Sequence, residues 1–470
     1  MAVPADRRRA AARRATDNSA LSASRRTFLQ GSAVAAAAAS LTSLVPAVHA
    51  GGDDVLKIAL VGCGNRGTGA AANALQTSDA VKLYAMADAF ADRLAQSHSA
   101  LTTGGKVSRG SVPPAVAARV DVPQERQFVG LDAYKQAIDA VDVVLLCGPP
   151  GFRAEHFEYA VSRGKHVFME KPVATDPAGV RRVLAAAEVA KQKGLKVGVG
   201  LQRHHEEKYL ETIRRLKDGA IGDIRMLRCY WNGGTIKQPV DRAGLTELEF
   251  QVRNWYFFTW LSGDHIVEQH VHNLDVCNWI MGAPPVSALG MGGRQMRTGK
   301  SYGDIFDHHA VEYTYADGTK MFGVCRQMPG CEPLVGEFAV GTKGEVDVGN
   351  GRITPTAKSD AVAWEFPRPR GGAKGTAGPN PYQVEHDALF RAIRSDTPHM
   401  EAETGAQATM TAILGRMATY TGRTVTWEEG FNSPRALGPA QIVDWQTQPL
   451  TLPDADGLYK LPQPGLIREV

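Results

Sequence analysis

The chain has 470 residues, 43% of them hydrophobic, with 53 Lys and Arg against 49 Asp and Glu. Seven of the arginines fall within residues 1–50, so residues 51–470 hold 46 basic and 47 acidic residues and carry a net charge of −1. No Lys/Arg block occurs there, which excludes the usual basic surface for nucleic acid, and no apolar run reaches the roughly 20 residues of a membrane span. The expected partners are therefore small molecules.

Residues 1–50 have the layout of a twin-arginine export signal. Arg25-Arg26 precedes an Ala-rich stretch from 31 to 45, which is too short and too rich in Ser and Thr for a transmembrane helix. Val48-His49-Ala50 ends in a small residue that a signal peptidase accepts. We expect cleavage near Gly51 and a periplasmic protein, exported already folded. An uncleaved anchor or a disordered tail is the alternative.

Four short apolar runs follow, separated by helix-like or loop segments. Such runs are typical of parallel strands buried on both faces, and they predict a doubly wound, parallel-sheet α/β domain over residues 54–173. The runs are Leu56 to Val61, Val81 to Ala87, Val141 to Cys147 and His166 to Met169.

The pattern changes after Pro172 to helices mixed with β alternation. Alternating runs at 311–315 and 320–325 flank Ala316-Asp317-Gly318, which predicts a β-hairpin. We predict an α+β domain with an open, mainly antiparallel sheet over residues 174–430. Residues 431–470 are predicted to form a Pro-punctuated tail.

A glycine-rich turn follows the first predicted strand and opens an Ala-rich helix. In Gly62-Cys63-Gly64-Asn65-Arg66-Gly67 the glycines permit a tight turn, backbone approach to a pyrophosphate and close helix packing. Asp88, 21 residues after Gly67, ends the second strand, where its carboxylate can bind ribose hydroxyls and repel a 2′-phosphate. The sequence favours NAD over NADP. Arg66 could compensate for that repulsion, Asp88 could merely cap a helix, and a structural turn without nucleotide is the alternative.

Glu170-Lys171-Pro172 ends the fourth strand, at the sheet edge where such folds bind ligands. Pro149, after the third strand, is assigned to the same cofactor-binding edge, as are Glu170 and Lys171. The Lys171 ammonium could donate to a substrate hydroxyl, and the Lys-Pro peptide is a candidate for the cis form. A solvated strand end is the alternative interpretation.

A predicted helix starting near Gly263-Asp264 carries the catalytic candidates. Continued through 265–275, it places Glu268, His272 and Asp275 on one face. Imidazole titrates near neutrality and suits the transfer of a hydroxyl proton. His272 could instead be a core histidine bonded to Glu268, and His265, Glu268 and His272 have the ligand types of a metal site, although no metal is predicted.

The glycine turn, Glu170-Lys171-Pro172 and Gly200-Leu201-Gln202-Arg203 together resemble the glucose-fructose oxidoreductase, inositol dehydrogenase and MocA family, over residues 55 to 430. The resemblance implies an NAD(P)-binding Rossmann domain, a second domain that supports homo-oligomers, and hydride transfer between nicotinamide and a sugar or cyclitol hydroxyl. Family members usually carry Asp four residues before an acid/base His. His272 matches that histidine, and Glu268 stands in the Asp position.

Substrate contacts are predicted for four residues, and aromatic rings before the catalytic helix would suit the C–H faces of a sugar, although each could equally belong to a core or an interface. The four residues are Arg203, Trp255, Asp275 and His308, and the further aromatics are Trp231, Tyr256 and Trp260.

Export constrains the reaction, because the periplasm holds no large pool of free nicotinamide cofactor. We therefore expect tightly bound NAD and a redox cycle that closes on the enzyme. One hypothesis is an oxidoreductase acting on sugars or cyclitols. The alternative is a redox-neutral, NAD-dependent glycoside hydrolase, which needs an additional base such as His308 or a tyrosine. A sugar-binding protein without catalysis is the third possibility.

Overall fold

The computed structural model describes residues 54–78, 80–104, 106–107, 110–356, 363–367 and 378–467. The predicted export signal at residues 1–50 lies outside these ranges. Among the described residues, no helix combines the length and the apolar character needed to cross a bilayer.

The first part of the chain forms a six-stranded, all-parallel sheet in the order β5-β2-β1-β6-β7-β8. Strand order reverses between β1 and β6, which is where open α/β sheets bind ligands. The elements are β1 Leu56–Val61, α1 Asn65–Gln76, β2 Val81–Asp88, α2 Ala91–Thr103, β3 Lys106–Val107, β4 Gly110–Ser111, α3 Pro114–Ala117, β5 Gln127–Val129, α4 Ala133–Asp139, β6 Val143–Leu146, α5 Arg153–Ser162, β7 His166–Met169, α6 Pro177–Gln192 and β8 Val197–Val199.

The second part forms a nine-stranded mixed sheet in the order β16-β15-β14-β13-β9-β12-β11-β10-β17, antiparallel except for the β9/β12 pair. The elements are α7 Glu207–Lys217, β9 Ile224–Gly233, α8 Glu247–Arg253, α9 Thr259–Ser262, α10 His265–Glu268, α11 Val271–Met281, β10 Ser287–Gly293, β11 His308–Thr314, β12 Lys320–Gln327, β13 Leu334–Gly341, β14 Gly344–Asp347, β15 Arg352–Pro355, β16 Trp364–Glu365, α12 Pro381–Ser395, α13 Ala402–Thr421, β17 Val425–Thr426 and α14 Trp427–Asn432.

The predicted fold class is confirmed: a doubly wound parallel sheet is followed by an open, mainly antiparallel one. The predicted hairpin is the β11/β12 pair, in which Thr314 lies opposite Lys320. The parallel sheet extends past residue 173, because β8 is its sixth strand. Helix α12, late in the chain, packs on the first sheet through Leu389, Phe390 and Ile393.

The prediction of one continuous helix over residues 265–275 is wrong. Helix α10 ends at Glu268, Gln269 and His270 interrupt the helix, and α11 starts at Val271. The start of α10 is set by Asp264, which has φ 76°, an unusual value for a non-glycine residue, and whose carboxylate accepts the backbone N–H of His265 at 2.5 Å. The single turn of α10 is thus fixed by Asp264, and Glu268 lies at its end.

Candidate active site

The glycine turn after β1 is shaped by close backbone packing. Gly62 has φ +95°, and a Cβ there would overlap the backbone of Gly148, which follows β6. A Cβ on Gly67 would overlap the Gly62 carbonyl oxygen. Gly64 differs, since a Cβ on it would meet no described atom within 4 Å, and this glycine lines a cleft. The backbone at Gly64 is therefore open to close approach by a ligand.

That cleft has a volume of about 1760 Å³ and runs from the glycine turn to the start of the second domain. One drug-sized ligand usually occupies a pocket of about 300–1,000 Å³, so this cleft has room for a dinucleotide and a second molecule. Every residue predicted to bind the cofactor lines it, namely Gly62, Gly64, Asn65, Arg66, Gly67, Asp88, Pro149, Glu170 and Lys171.

Asp88 is held rigidly at the carboxyl end of β2. Its Oδ2 accepts the backbone N–H of Cys63 at 2.7 Å, and its Oδ1 accepts that of Phe90 at 2.9 Å. Burial raises the pKa of Asp88, and these two N–H donors oppose that shift. The carboxylate therefore faces the cleft with its orientation fixed and with acceptor capacity left for hydroxyl donors.

Arg66 connects the glycine turn to the end of β7. Its Nε donates to Glu170 Oε1 at 2.6 Å, while its Nη1 and Nη2 are buried without a hydrogen-bond partner among the described residues. Helix α1 begins at Asn65, directly after Gly64, and no described side chain caps its first turn. Unpaired N–H groups and a buried guanidinium beside one cleft suit the phosphates of a dinucleotide, so the residues present fit NAD(P).

Lys171 and Glu268 meet at the other end of the cleft. Lys171 Nζ donates to the Glu268 carbonyl oxygen at 2.7 Å and lies 3.3 Å from Glu268 Oε1. Both side chains are about nine-tenths buried, and Glu268 Oε2 has no hydrogen-bond partner among the described residues. The Lys171-Pro172 peptide is cis. An ammonium is thus fixed beside a carboxylate that retains a free acceptor oxygen.

His272 lines the same cleft from the first turn of α11. Its imidazole stacks on the Trp231 indole, with ring centroids 5.9 Å apart and an interplanar angle of 25°. The structure therefore brings Lys171, Glu268 and His272 to one cavity even though the helix that was expected to align two of them is broken.

The predicted substrate residues divide into two pairs. Arg203 and Trp255 line the cleft. Arg203 Nη1 donates to Glu337 Oε1 at 2.5 Å. Asp275 and His308 do not line the cleft. Asp275 is buried on the same helix as His272 and pairs with His204 at 2.8 Å, so its carboxylate is engaged away from the cleft. His308 lies on β11 and pairs with Asp307.

The three residues with the ligand types of a metal site, His265, Glu268 and His272, do not come together. His265 is fully buried away from the cleft, and its Nδ1 lies 2.8 Å from Asp264 Oδ1, whereas Glu268 and His272 line the cleft. Asp264 also accepts from the Phe306 N–H at 2.9 Å and the Tyr420 hydroxyl at 2.6 Å. This caged carboxylate supports the segment that carries Glu268.

Gln269 and Lys237 are among the cleft residues that were not predicted from the sequence. Gln269 occupies the helix break, and Lys237 comes from the loop between β9 and α8 with its Nζ 4.2 Å from the Trp255 ring centroid. Desolvation lowers the pKa of Lys237 to about 8, and the negative charge of Glu268 opposes that change. No motif marks this loop, so its sequence held no usable signal.

A glycine turn at a strand-order reversal, facing a lysine, a glutamate and a histidine across one cleft, defines a two-domain nucleotide-binding oxidoreductase architecture. An oxidoreductase family model with an NAD-binding Rossmann fold matches residues 56–201, and the GFO/IDH/MocA C-terminal domain model matches residues 209–346. The chain belongs to the GFO/IDH/MocA oxidoreductase family.

Among curated relatives, inositol 2-dehydrogenase from Rhizobium meliloti is 24% identical over 225 residues, which are 47% of this chain and 61% of that protein. Inositol 2-dehydrogenase from Gluconacetobacter diazotrophicus is 32% identical over 148 residues, 32% of this chain and 37% of that protein. The chain thus matches less than two thirds of either relative. An aldose-aldose oxidoreductase structure from Caulobacter crescentus shares the fold, with TM-score 0.59 and 19% identity over 79% of this chain and 99% of that one.

Proposed function

We propose that this protein is an exported oxidoreductase that keeps NAD tightly bound and transfers a hydride between it and a sugar or cyclitol hydroxyl. The observation that carries the proposal is the single cleft shared by the glycine turn with Asp88 and by Lys171, Glu268 and His272. A sugar or cyclitol substrate is supported by the names of a sequence relative, inositol 2-dehydrogenase, and of a solved structure with the same fold, aldose-aldose oxidoreductase.

The side chains divide the proton chemistry. NAD, when bound, supplies the hydride acceptor. The His272 imidazole takes the hydroxyl proton as the carbinol carbon loses its hydride, so that a carbonyl forms and charge is conserved. The Lys171 ammonium donates to the same oxygen and stabilises the developing negative charge. Glu268 holds Lys171 in place through its carbonyl and carboxylate oxygens.

The rings beside the site support a polyol substrate. Trp231 and Trp255 both line the cleft, and flat apolar rings pack well on the C–H face of a sugar or cyclitol ring. Arg203 and Gln202 line the same region and offer hydrogen-bond donors to hydroxyls. Asp88 favours NAD over NADP, because its carboxylate would repel a 2′-phosphate.

Purified protein carrying its own NAD should be mixed with a panel of free sugars and inositols, and reduced nicotinamide should be followed by absorbance without added cofactor. We expect stoichiometric reduction by at least one member of the panel, and none in Lys171→Met loaded with the same NAD. Reduction by no polyol, from protein shown to hold NAD, would overturn the proposal.

A glycoside hydrolase that oxidises the sugar ring transiently is the second candidate. Elimination of the glycosidic substituent needs a further base for the neighbouring C–H proton. His308, which was proposed for that role, lies outside the cleft, whereas Lys237 lines it and has a lowered pKa. Release of aglycone from chromogenic glycosides, lost when NAD is stripped, would favour this candidate. Sugar binding without either reaction would indicate a sugar-binding protein that has no catalytic activity.

Export is proposed from Arg25-Arg26 and the Ala-rich stretch after them. Replacing both arginines by lysine should move the protein from the periplasmic to the cytoplasmic fraction. An unchanged distribution would contradict twin-arginine export and would weaken the argument for retained NAD.

We also propose a homo-oligomer formed through the exposed face of the nine-stranded sheet. Leu289 and Phe322 lie at matching register positions of this sheet and remain exposed, as does Met291 at 75%. Glu312 lies between Leu289 and Phe322 in this register, so the face carries exposed apolar side chains around one carboxylate, and exposed apolar groups clustered on a sheet face are typical of an interface. Sedimentation should show a larger species in the wild type than in Met291→Glu.

A further inference from the structure

The segment from Leu437 to Tyr459, here called the strap, returns across the nucleotide end of the cleft. It leaves the second domain after α14, and the Leu437 N–H donates to Asp176 Oδ2 at 3.1 Å beside the start of α6. Four consecutive strap residues, 440–443, then line the cleft. Among them Val443 is 71% exposed, an apolar side chain left open at the edge of a binding cavity.

Past the cleft, the strap packs on the loop that follows Asp88. The Trp445 indole stacks on the Phe90 ring, with centroids 5.1 Å apart at 20°. The Arg253 guanidinium lies 3.9 Å from the centroid of that ring and pairs with Asp92 at 3.0 Å. Phe90 is the residue whose N–H donates to Asp88. The strap therefore contacts the loop that fixes the ribose-binding carboxylate.

Partly buried hydrogen bonds anchor the rest of the strap to α8. The Thr451 carbonyl accepts from Gln251 Nε2 at 2.7 Å, and Gln251 is itself held by Trp260 Nε1 at 2.6 Å. The Tyr459 hydroxyl donates to Glu247 Oε1 at 2.6 Å.

These anchors enclose a small apolar core separate from the cores of the two sheets. It joins strap residues to loops of the first domain and to the α8–α9 region: Leu437, Ile442, Trp445 and Tyr459 meet Phe90, Leu131, Phe152, Leu248, Phe250, Val252, Phe258, Trp260 and Leu261. Burial of these apolar side chains stabilises the strap in its position over the cleft.

We infer that the strap is a retention device for the cofactor: it closes over the adenosine end of bound NAD, so that release requires the Phe90–Trp445 stack to open. This inference rests on the proposed function, which needs a dinucleotide that stays bound through many turnovers. Strap and Asp88 then act on the same half of the cofactor, the strap by covering it and Asp88 by binding its ribose.

The test is the dissociation rate of NADH from the full chain. Protein loaded with NADH is mixed with excess NAD, and the loss of bound NADH fluorescence is followed. Trp445→Ala should release NADH about tenfold faster, as expected for the loss of one aromatic pair, while Trp445→Phe should stay close to wild type. Trp364→Ala is the matched control, because Trp364 is also half-buried and lies against an arginine, Arg215, but outside the cleft.

Should Trp445→Ala fail to fold, Ile442→Ala trims a cleft-lining strap residue, leaves the stack in place and should also speed release. Equal NADH dissociation rates in wild type and the folded strap variant would overturn the strap's role while leaving NAD binding intact. A wild type that binds no NADH would overturn the proposed function as well. Neither readout depends on turnover of a polyol.

Discussion

The two ends of the cleft are built differently. At the nucleotide end the shape comes from backbone packing around the turn after β1, where Gly62 approaches Gly148 and Gly67 approaches Gly62 more closely than a Cβ would allow. At the catalytic end it comes from side chains far apart in the chain, Lys171, Glu268 and His272, whose positions depend on buried polar contacts.

This difference separates binding from chemistry. Changes in the glycine turn should act on NAD affinity, because the phosphates would meet the backbone there. Changes around Glu268 and His272 should act on turnover while NAD stays bound, since neither residue belongs to the turn.

The largest effect is expected for His272→Ala. Removing a general base lowers rates by about 10²–10⁴-fold, and the NAD content of the purified protein should not change. Turnover of the polyol found in the screen and NAD released on denaturation give the two readouts. His308→Ala is the control, because that imidazole lies outside the cleft. Comparable activity in wild type and His272→Ala would remove His272 from the catalytic role.

Asp264→Asn should be the most destabilising change near the catalytic end. Burial disfavours the charge, but the imidazoles of His309 and His265 hold the pKa of Asp264 well below its usual value. An amide would place donors against the Phe306 N–H and the Tyr420 hydroxyl. We expect a loss of about 3 kcal/mol in the free energy of unfolding, measured with urea, together with reduced turnover.

Glu268→Gln is the comparison for Asp264→Asn, because it removes a charge from the cleft rather than from the core. It should alter turnover and lower stability less than Asp264→Asn does, because the Lys171 ammonium keeps the Glu268 carbonyl oxygen as an acceptor. Equal stability of Asp264→Asn and wild type would show that the caged carboxylate does not support the catalytic segment.

Gly64→Ala and Gly67→Ala should separate affinity from stability within the glycine turn. A Cβ at position 64 meets no described atom, so the variant should fold normally and bind NAD more weakly. A Cβ at position 67 overlaps the Gly62 carbonyl, and overpacking of this kind costs about 1–3 kcal/mol. Thermal unfolding and NAD titration measure the two effects. Undiminished NAD affinity in Gly64→Ala would contradict close backbone approach at that glycine.

The same difference explains which parts could be predicted from the sequence. The strands, the glycine turn and Asp88 follow one another at fixed spacing, so local pattern located the nucleotide end. Asp275 was misplaced because its carboxylate pairs with His204, 71 positions earlier in the chain, and the Asp264 carboxylate before α10 likewise meets Phe306 and Tyr420, which are distant in sequence. Periodicity carries no information about such contacts.

Lys237 and the strap were missed for a related reason. Both lie in segments without regular secondary structure, where no hydrophobic period indicates which side chains turn inward. Trp445 in particular meets Phe90 across more than 350 positions of chain. A Pro-punctuated tail predicts irregular structure and does not indicate what the tail covers.

The smallest effect concerns the pH dependence of stability, to which one buried histidine from each half of the molecule contributes. Burial lowers the pKa of His270, in the helix break, and of His386, on α12 against the first sheet, to about 3 each. The unfolded chain protonates these imidazoles near pH 6.5, so between pH 6.5 and 3 it binds more protons than the folded chain, and stability falls as the pH falls. Within this pH range each histidine changes the free energy of unfolding by up to about 1.4 kcal/mol per pH unit.

His270→Gln and His386→Gln should each remove one such slope, seen as a flatter dependence of the urea unfolding free energy on pH between 6.5 and 4.5. Slopes are compared rather than absolute stabilities, because either substitution also changes packing. Because the two imidazoles lie in different cores, their effects should add in the double variant. A double variant as acid-sensitive as the wild type would mean that other groups govern acid unfolding in both halves of the molecule.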